Sequence, residues 1–242
     1  MFGTLRNTVG EQLEYDFLPG KEGCTKLVVI GHGVTANKDR DWAVTLSETL
    51  AKAGMASLRF SFSGNGGSEG RFEDSCPSKE ADDLRCVLRA LTKWQVSYVG
   101  HSMGAAVGAL VASTEKCFTR LVSLGGMVDT ADFAQRKFGD LQPGNAFMWE
   151  KSECPLSQSF MDDMKAIDSV EPQAQTIPVP WLFVHGSADT VVPIEESERL
   201  YQQEAPHRTL VNIPDADHVF SEPHAAIMAD QVVDWLLDDL NT

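Results

Sequence analysis

The sequence predicts an α/β protein in which a mostly parallel sheet carries helices on both of its faces. Short apolar runs rich in β-branched residues, typical of buried strands, alternate along the chain with longer amphipathic patterns of helical period. Small polar clusters follow several of these runs, at positions where the carboxyl ends of parallel strands would meet. A length of 242 residues suits one such domain with an insertion, or two small domains.

Composition and charge exclude several classes of function. Hydrophobic residues make up 43% and charged residues 23%, no apolar run approaches the roughly 18 residues of a membrane span, and residues 1–17 contain no signal-peptide core. Five cysteines without a Cys-x-x-Cys pair favour reduced thiols, so we expect a cytoplasmic protein without a disulfide framework. A net charge of −15 argues against nucleic acid and membrane partners, and mildly against anionic substrates.

The first half of the chain predicts a hairpin at the edge of the sheet, followed by alternating strands and helices. Residues 4–17 alternate loosely around a turn at 7–10. Ser78 resembles the N-cap of a helix whose apolar residues recur at helical spacing. The predicted strands are 26–30, 55–60 and 96–99, and the predicted helices are 41–53, the one starting at Ser78, and one after residue 102.

The regular alternation stops after a predicted strand at 121–124. About fifty residues, 129–179, precede the next strand, far more than the roughly 2–6 residues of an ordinary connection. We therefore expect a cap insertion at 129–176 and a core made of 1–128 and 177–242. The remaining predicted elements are strands at 181–184 and 209–213 and helices near 195–203 and 223–238.

The pentapeptide Gly100-His101-Ser102-Met103-Gly104 lies between an apolar strand pattern and an Ala-rich helix pattern. In this context a Gly-x-Ser-x-Gly motif is a nucleophile elbow, in which Ser102 occupies a sharp, strained turn. Glycines let strand and helix approach closely, and the free N–H groups at the helix start point to where an oxyanion would form. The alternative is a glycine-rich βα turn with a bystander serine.

A serine nucleophile needs a base to accept its proton. Of the six histidines, His218 lies just beyond the carboxyl end of a predicted strand and before the last helix. His224 is the runner-up, near the start of that helix, whereas His207 precedes the strand. The alternative for His218 is a solvated loop histidine.

The base in turn needs a carboxylate that holds its tautomer. Asp189 follows the 181–184 strand, and Asp129, which follows the 121–124 strand, is its rival. The alternative for Asp189 is a turn aspartate that caps the next helix. We interpret Asp217, the sequence neighbour of His218, as solvated, because adjacent side chains on a loop usually diverge.

A second oxyanion donor is expected from the loop after the first long parallel strand. We expect the N–H groups of Met103 and Val34 to form the oxyanion hole, since Gly31 and Gly33 let that loop come close. Losing one such donor typically costs about 10²–10³ in rate. His32 either supports the loop from behind or is simply a packed histidine.

A glycine pattern in the same loop also fits a dinucleotide fingerprint, Gly31-x-Gly33-x-x-Ala36. That site needs an acid at the end of the next strand, where this chain has Leu58-Arg59-Phe60-Ser61. The Gly64–Glu69 loop lacks the third glycine, and no P-loop lysine is present. We therefore expect no cofactor, and the lack of a Cys-x-x-Cys pair leads us to expect no metal.

Apolar residues of the insertion either form its own core or line an acyl or aromatic pocket. We expect most of them to be core and two or three to reach the substrate. The candidate substrate contacts are Phe147, Trp149 and Val191.

Five segments of the chain resemble the α/β-hydrolase superfamily, in sequence and in their order along the chain. More narrowly, they resemble the small serine esterases that include cinnamoyl and feruloyl esterases. These segments are 31–39, 60–70, 100–104, 185–189 and 215–218. The resemblance implies an α/β-hydrolase fold with a small cap, Ser102 as nucleophile, His218 as base and Asp189 as acid. It also implies Val34 and Met103 as oxyanion donors. Many relatives carry a large aromatic residue where this chain has Val34, which reshapes the acyl pocket.

We therefore expect a carboxylic ester hydrolase that acts on short-chain or aromatic acyl groups through an acyl-enzyme on Ser102. The same machinery would serve a peptidase, a C–C hydrolase or an acyltransferase. A non-catalytic ligand-binding protein of the same fold is the alternative from a different class. The expected partner is a small-molecule ester, and a homodimer is left open.

Overall fold

The computed structural model describes residues 2–203 and 207–238. The strands are β1 (Leu5–Arg6), β2 (Gln12–Leu13), β3 (Tyr15–Leu18), β4 (Lys26–Gly31), β5 (Ala56–Phe60), β6 (Gln95–His101), β7 (Phe118–Leu124), β8 (Trp181–Gly186) and β9 (Arg208–Ile213). The α-helices are α1 (Asp41–Lys52), α2 (Pro77–Arg89), α3 (Met103–Ala112), α4 (Thr130–Phe138), α5 (Gln158–Ile167), α6 (Glu171–Ala174), α7 (Ile194–Gln202) and α8 (His224–Leu237). Short 3₁₀ helices cover Phe72–Asp74 and Met148–Glu150.

Seven strands form the central sheet in the order β3-β5-β4-β6-β7-β8-β9. Edge strand β3 is antiparallel to β5, and every other neighbouring pair is parallel. The register places Gly31 beside Gly100, and His101 beside Leu124. The loops that follow β4, β6, β7, β8 and β9 therefore meet at one edge of the sheet, as the sequence predicts.

Helices cover both faces of this sheet, because its central strands are apolar on both sides. On one face α2 and α3 pack over residues such as Tyr98 and Leu121. On the other face α1 and α8 pack over Val28 and Val99. The predicted architecture, a mostly parallel sheet with helices on both faces, is thus confirmed.

The N-terminal hairpin differs from the prediction. Strands β1 and β2 pair around a turn closed by Gly10 N–H and Asn7 O, but they form a separate two-stranded sheet. The edge of the central sheet is β3 instead, four residues long. Part of the reason is that Asn7 is held elsewhere, since its side chain donates to the buried carboxylate of Asp83 on α2.

The predicted N-cap of α2 is wrong. The helix begins at Pro77, and Cys76 occupies the N-cap without a side-chain hydrogen bond. Proline suits the first helical position because it has no N–H to leave unsatisfied and its φ is already helical. Ser78 therefore lies inside the first turn, where its N–H donates to Asp163 on α5.

Between β7 and β8 the chain forms α4, α5 and α6 instead of one crossover helix. Phe133, Phe138, Phe160 and Met164 make a separate apolar cluster that also contacts Met103 at the start of α3. This segment therefore lies against the carboxyl edge of the sheet. In the described ranges, no helix combines the length and apolarity needed to cross a bilayer.

Candidate active site

Ser102 occupies a strained turn between β6 and α3. Its backbone angles, φ 54° and ψ −121°, lie in a region that costs a non-glycine residue about 1–3 kcal/mol. The turn is held because Ser102 N–H donates to Leu124 O at 2.9 Å, while Ser102 O accepts from Met127 N–H at 3.1 Å. The predicted strand–turn–helix geometry around the serine is therefore present.

The two glycines of the pentapeptide are required by close backbone contacts. A Cβ on Gly100 would lie 2.3 Å from Gly104 O, and a Cβ on Gly104 would lie 2.4 Å from His32 O. Backbone atoms cannot yield as a flexible side chain can. The turn, the helix start and the loop after β4 are thus packed as one unit.

His218 and Asp189 are joined by a hydrogen bond, with 2.7 Å between Nδ1 and Oδ2. The other carboxylate oxygen, Oδ1, accepts from the backbone N–H groups of Val191 and Val192 at 2.8 and 2.9 Å. Because an ionised carboxylate only accepts, Nδ1 of His218 carries the proton and Nε2 is left as the free base.

The environment of Asp189 keeps it ionised although its side chain is only 1% exposed. Burial by itself would raise the pKa of this carboxyl. Hydrogen bonds from His185 and His218, together with that from Val192 N–H, outweigh burial and hold the pKa below its usual range. A buried, charged acceptor therefore faces the imidazole at neutral pH.

Ser102 and His218 line one cavity of about 260 Å³ at the carboxyl edge. In the described part of the chain, Ser102 Oγ forms no hydrogen bond with the His218 ring or any other group. In unliganded sites such contacts are commonly long and shorten when substrate binds. Ser102 and His218 thus share a cavity without a hydrogen bond between them.

The rival candidates lie elsewhere or have other partners. Asp129 Oδ2 accepts from Arg199 at 2.6 Å, and Asp217 is bound by the N–H and hydroxyl of Ser221. His207 precedes β9 at the opposite edge of the sheet, and His224 is the first residue of α8. Of these candidates, the structure brings only Asp189 together with His218.

The loop after β4 passes directly against the serine. A Cβ on Gly33 would lie 2.8 Å from Ser102 Cβ, so this position must be glycine. Within the described residues, the N–H groups of Val34 and Met103 donate to no other group. Two free donors beside Ser102 are what an oxyanion hole requires, and their role stays a prediction.

His32 braces this loop from behind, one of the two roles considered from the sequence. Its Nδ1–H donates to Gly33 O at 2.9 Å and its Nε2 accepts from Phe62 N–H at 3.0 Å. Burial lowers the pKa of His32 to about 4, so the ring is neutral and both nitrogens keep these roles.

Sequence reasoning missed two buried histidines that hold the proposed base and acid. His185 Nε2 lies 3.0 Å from Val192 O and 3.3 Å from Asp189 Oδ2, and its Nδ1 lies 2.8 Å from Ser197 Oγ. The Nε2–H group donates to Val192 O, and its closeness to the Asp189 carboxylate supports the ionised form of that carboxylate. The sequence offered one signal for this role, a histidine at the end of an otherwise apolar strand. A buried imidazole needs hydrogen-bond partners, and here these belong to the site.

His101 is the second buried histidine, and it connects the elbow to the His218 loop. Its Nε2–H donates to the His218 backbone carbonyl at 2.8 Å, and its ring stacks obliquely on Trp42 at 4.9 Å. Burial, reinforced by the neighbouring His218 ring, lowers the pKa of His101 to about 3. Its Nδ1 is buried and has no partner among the described residues.

The rest of the cavity wall is largely apolar. Val34, Trp42 and Phe133 line it, together with two of the predicted substrate contacts, Trp149 and Val191. Phe147 lies outside this cavity and is 45% exposed. In the described ranges, no group of three or more His, Cys, Asp or Glu residues could hold a metal ion.

Two family models match consecutive parts of this chain. A model described as alpha/beta hydrolase fold matches residues 26–151, which include Ser102. A model described as serine aminopeptidase, S33, matches residues 152–223, which include Asp189 and His218.

Similar proteins and structures extend over most of the chain. The uncharacterized protein YfhR of Escherichia coli O157:H7 is 25% identical over 96% of this chain and 78% of its own length. The mitochondrial palmitoyl-protein thioesterase ABHD10 of Bos taurus is 24% identical over 95% of this chain and 78% of its own. The structure of Est1E from Butyrivibrio proteoclasticus with bound ferulic acid superposes with a TM-score of 0.85, at 25% identity over 99% of both chains.

Proposed function

The chain belongs to the alpha/beta hydrolase fold family, and from its site we propose that it is a serine hydrolase that cleaves carboxylic esters with short-chain or aromatic acyl groups. One observation carries this proposal. Ser102, in a strained turn with two free backbone N–H donors beside it, shares a cavity with His218. Nδ1 of His218 is in turn hydrogen-bonded, at 2.7 Å, to the buried carboxylate of Asp189.

In the proposed reaction, His218 Nε2 accepts the Ser102 Oγ proton as the oxygen attacks the ester carbonyl. The N–H groups of Val34 and Met103 bind the resulting oxyanion. The intermediate collapses to an acyl-enzyme, and the alcohol leaves with the proton from His218. Water, deprotonated by the same nitrogen, then releases the acid and restores the serine. Asp189 stabilises the imidazolium in both halves of the cycle.

The comparisons support the coarser part of this proposal, a hydrolase. One relative is named a palmitoyl-protein thioesterase, and the Est1E structure holds ferulic acid, an aromatic acid. A non-catalytic binding protein would not need a strained serine beside a paired imidazole and carboxylate. The same site would also support transfer of the acyl group to an alcohol in place of water.

A serine peptidase is the second candidate, favoured by the match of residues 152–223 to the serine aminopeptidase model. An aminopeptidase must hold the substrate's free ammonium group. In the described structure no carboxylate lines the cavity, and its charged residues other than histidine are Arg40 and Lys151. This charge supports the esterase over the aminopeptidase.

We further propose that residues 129–176 act as a cap over this site, with 1–128 and 177–242 as the core. Phe133 and Trp149 from that segment reach the cavity wall, which supports a role in choosing the acyl group. We also propose a cytoplasmic location and a small-molecule ester as partner, without nucleic acid or membrane. A homodimer is left open.

The test is a Ser102→Ala variant assayed with p-nitrophenyl acetate, alongside fluorophosphonate labelling of the parent. We expect kcat to fall by at least about 10³-fold and the label to map to Ser102. Ser152→Ala is the control, because Ser152 is an exposed serine outside the cavity. Equal rates for Ser102→Ala and the parent, or an unlabelled Ser102, would exclude the proposal.

A further inference from the structure

The cavity at Ser102 carries a local charge opposite to that of the whole chain. The net charge is −15, yet the charged side chains lining this cavity, histidines aside, are Arg40 and Lys151. Screening limits the reach of distant surface charges to about 8–10 Å at physiological salt. The charges nearest to a bound substrate are therefore the two cations that line the cavity and the Asp189 carboxylate behind His218.

Arg40 is fixed against the loop that carries the proposed oxyanion donors. Its guanidinium Nη2 donates to Thr35 O at 2.9 Å, and the residue is partly buried. Its backbone carbonyl accepts from Ala43 and Val44 N–H at the start of α1, which anchors the residue at both ends. The guanidinium forms no ion pair with a described carboxylate, so most of its donors are available.

Lys151 approaches the same place from the segment between β7 and β8. It follows a tight turn in which Trp149 and Glu150 have φ of 53° and 58°, and its N–H closes that turn on Met148 O. Its ammonium group forms neither a hydrogen bond nor an ion pair with any described residue. Lys151 is a partly buried residue, and an anion would stabilise its ammonium group, which has no counter-ion among the described residues.

The two cations stand at a boundary between cavities. An outer cavity of about 590 Å³ shares Thr35, Ala36, Arg40 and Lys151 with the catalytic one. Its carboxylates are Asp39, Asp41 and Glu153, and none of them lines the inner cavity. Asp39 is already paired with Lys38 and Arg59, at 3.0 and 3.2 Å. A group that extends from Ser102 into the outer cavity therefore passes the two shared cations before it reaches these carboxylates.

We propose that Arg40 and Lys151 form a subsite for an anionic group of the substrate, a free carboxylate on the acyl or the alcohol part of the ester. This rests on the proposed function and narrows its substrate class. The planar guanidinium fork matches a carboxylate and the ammonium adds a second charge. The inference also reverses the expectation, drawn from net charge alone, that anionic substrates are disfavoured.

Two matched pairs of esters test this subsite and separate the two ends of the substrate. For the alcohol side the pair is para-acetoxybenzoate and the neutral para-acetoxybenzamide. For the acyl side it is monomethyl terephthalate and methyl para-toluate. The readout is the ratio of kcat/KM for the charged member to that for the neutral member, compared between variants so that intrinsic reactivity cancels.

We expect the parent to prefer the charged member of one pair, and Lys151→Met to lower that ratio about tenfold, the low end for a charge-assisted hydrogen bond. Lys116→Met is the matched control, because Lys116 is exposed at the opposite edge of the sheet. Arg40→Met should act in the same direction. Raising salt from about 0.01 M to about 1 M should weaken the preference in the parent.

A ratio that both cavity variants leave unchanged in both pairs would overturn the subsite. So would a parent that rejects both charged esters while it still hydrolyses p-nitrophenyl acetate. Failure of the parent to hydrolyse p-nitrophenyl acetate would instead overturn the proposed function, so the two failures are distinguishable.

Discussion

Replacing Asp189 with asparagine isolates one role of this side chain from its role in folding. The amide oxygen of Asn can still accept from the Val191 and Val192 N–H groups, now bound at 2.8 and 2.9 Å. The amide NH₂ must then face His218 Nδ1, where the carboxylate oxygen now lies at 2.7 Å. In the reverse orientation the NH₂ group would face the two backbone N–H groups, so the buried site selects the first. His185 Nε2 lies 3.3 Å from the Oδ2 position but donates to Val192 O, so it does not compete.

The consequence for His218 follows from hydrogen-bond direction. Because the new NH₂ group only donates, Nδ1 must accept and the ring proton moves to Nε2. An imidazole protonated at Nε2 cannot take the proton of Ser102. Loss of the correct tautomer costs about 10⁴ in kcat in serine enzymes of this design, equivalent to about 5.5 kcal/mol.

The assay is kcat for p-nitrophenyl acetate at neutral pH, with thermal unfolding measured on the same samples. Asp129→Asn is the matched control, since Asp129 follows the neighbouring strand but binds Arg199 instead of a histidine. We expect Asp129→Asn to keep kcat within a few-fold of the parent. An Asp189→Asn protein that folds and retains more than about one tenth of the parental kcat would refute this role for Asp189.

Three further predictions concern the cavity and its supports. Gly104→Ala should destabilise the protein by about 1–3 kcal/mol, because its Cβ would lie 2.4 Å from His32 O, and an unchanged melting temperature would contradict this. Trp149→Ala should raise KM for naphthyl acetate about two- to tenfold, because contacts with the indole ring are lost. Phe147→Ala, outside the cavity, is the control, and equal KM values for the two variants would contradict this prediction. Burial lowers the pKa of His101 to about 3 from 6.5 in the unfolded chain, so its contribution to stability is full above pH 6.5 and is lost as pH falls toward 3. Denaturation at several pH values should therefore give a shallower acid-side slope for His101→Gln, by up to about 1.4 kcal/mol per pH unit, and an unchanged slope would contradict this.

The strands and the elbow could be predicted because their signals are local and redundant. A continuous apolar run such as residues 26–30 fits a strand covered on both faces, and the structure places β4 at Lys26–Gly31. The pairing of His218 with Asp189 could be anticipated because both follow neighbouring parallel strands, β9 and β8. In a parallel sheet, residues that follow neighbouring strands lie at the same edge, so their proximity can be predicted from the sequence.

Other features depend on contacts that no local pattern records. The start of α2 is set by Pro77 and not by the better capping residue one position later. His101 and His185 gain their roles from partners far away in the sequence, His218 and Ser197. Arg40 and Lys151 are 111 positions apart in the numbering, and only the folded chain brings them to one cavity.

The hydrogen bond from His101 to the His218 carbonyl has a consequence for how this enzyme could be altered. The residue between Gly100 and Ser102 is usually treated as a free choice in such pentapeptides, yet here it fixes the backbone of a residue 117 positions further on. Random mutagenesis at position 101 should therefore return few active clones whose new side chain cannot donate a hydrogen bond to the His218 carbonyl. An attempt to reposition the loop that carries His218 should therefore begin with the residue at the end of β6, position 101.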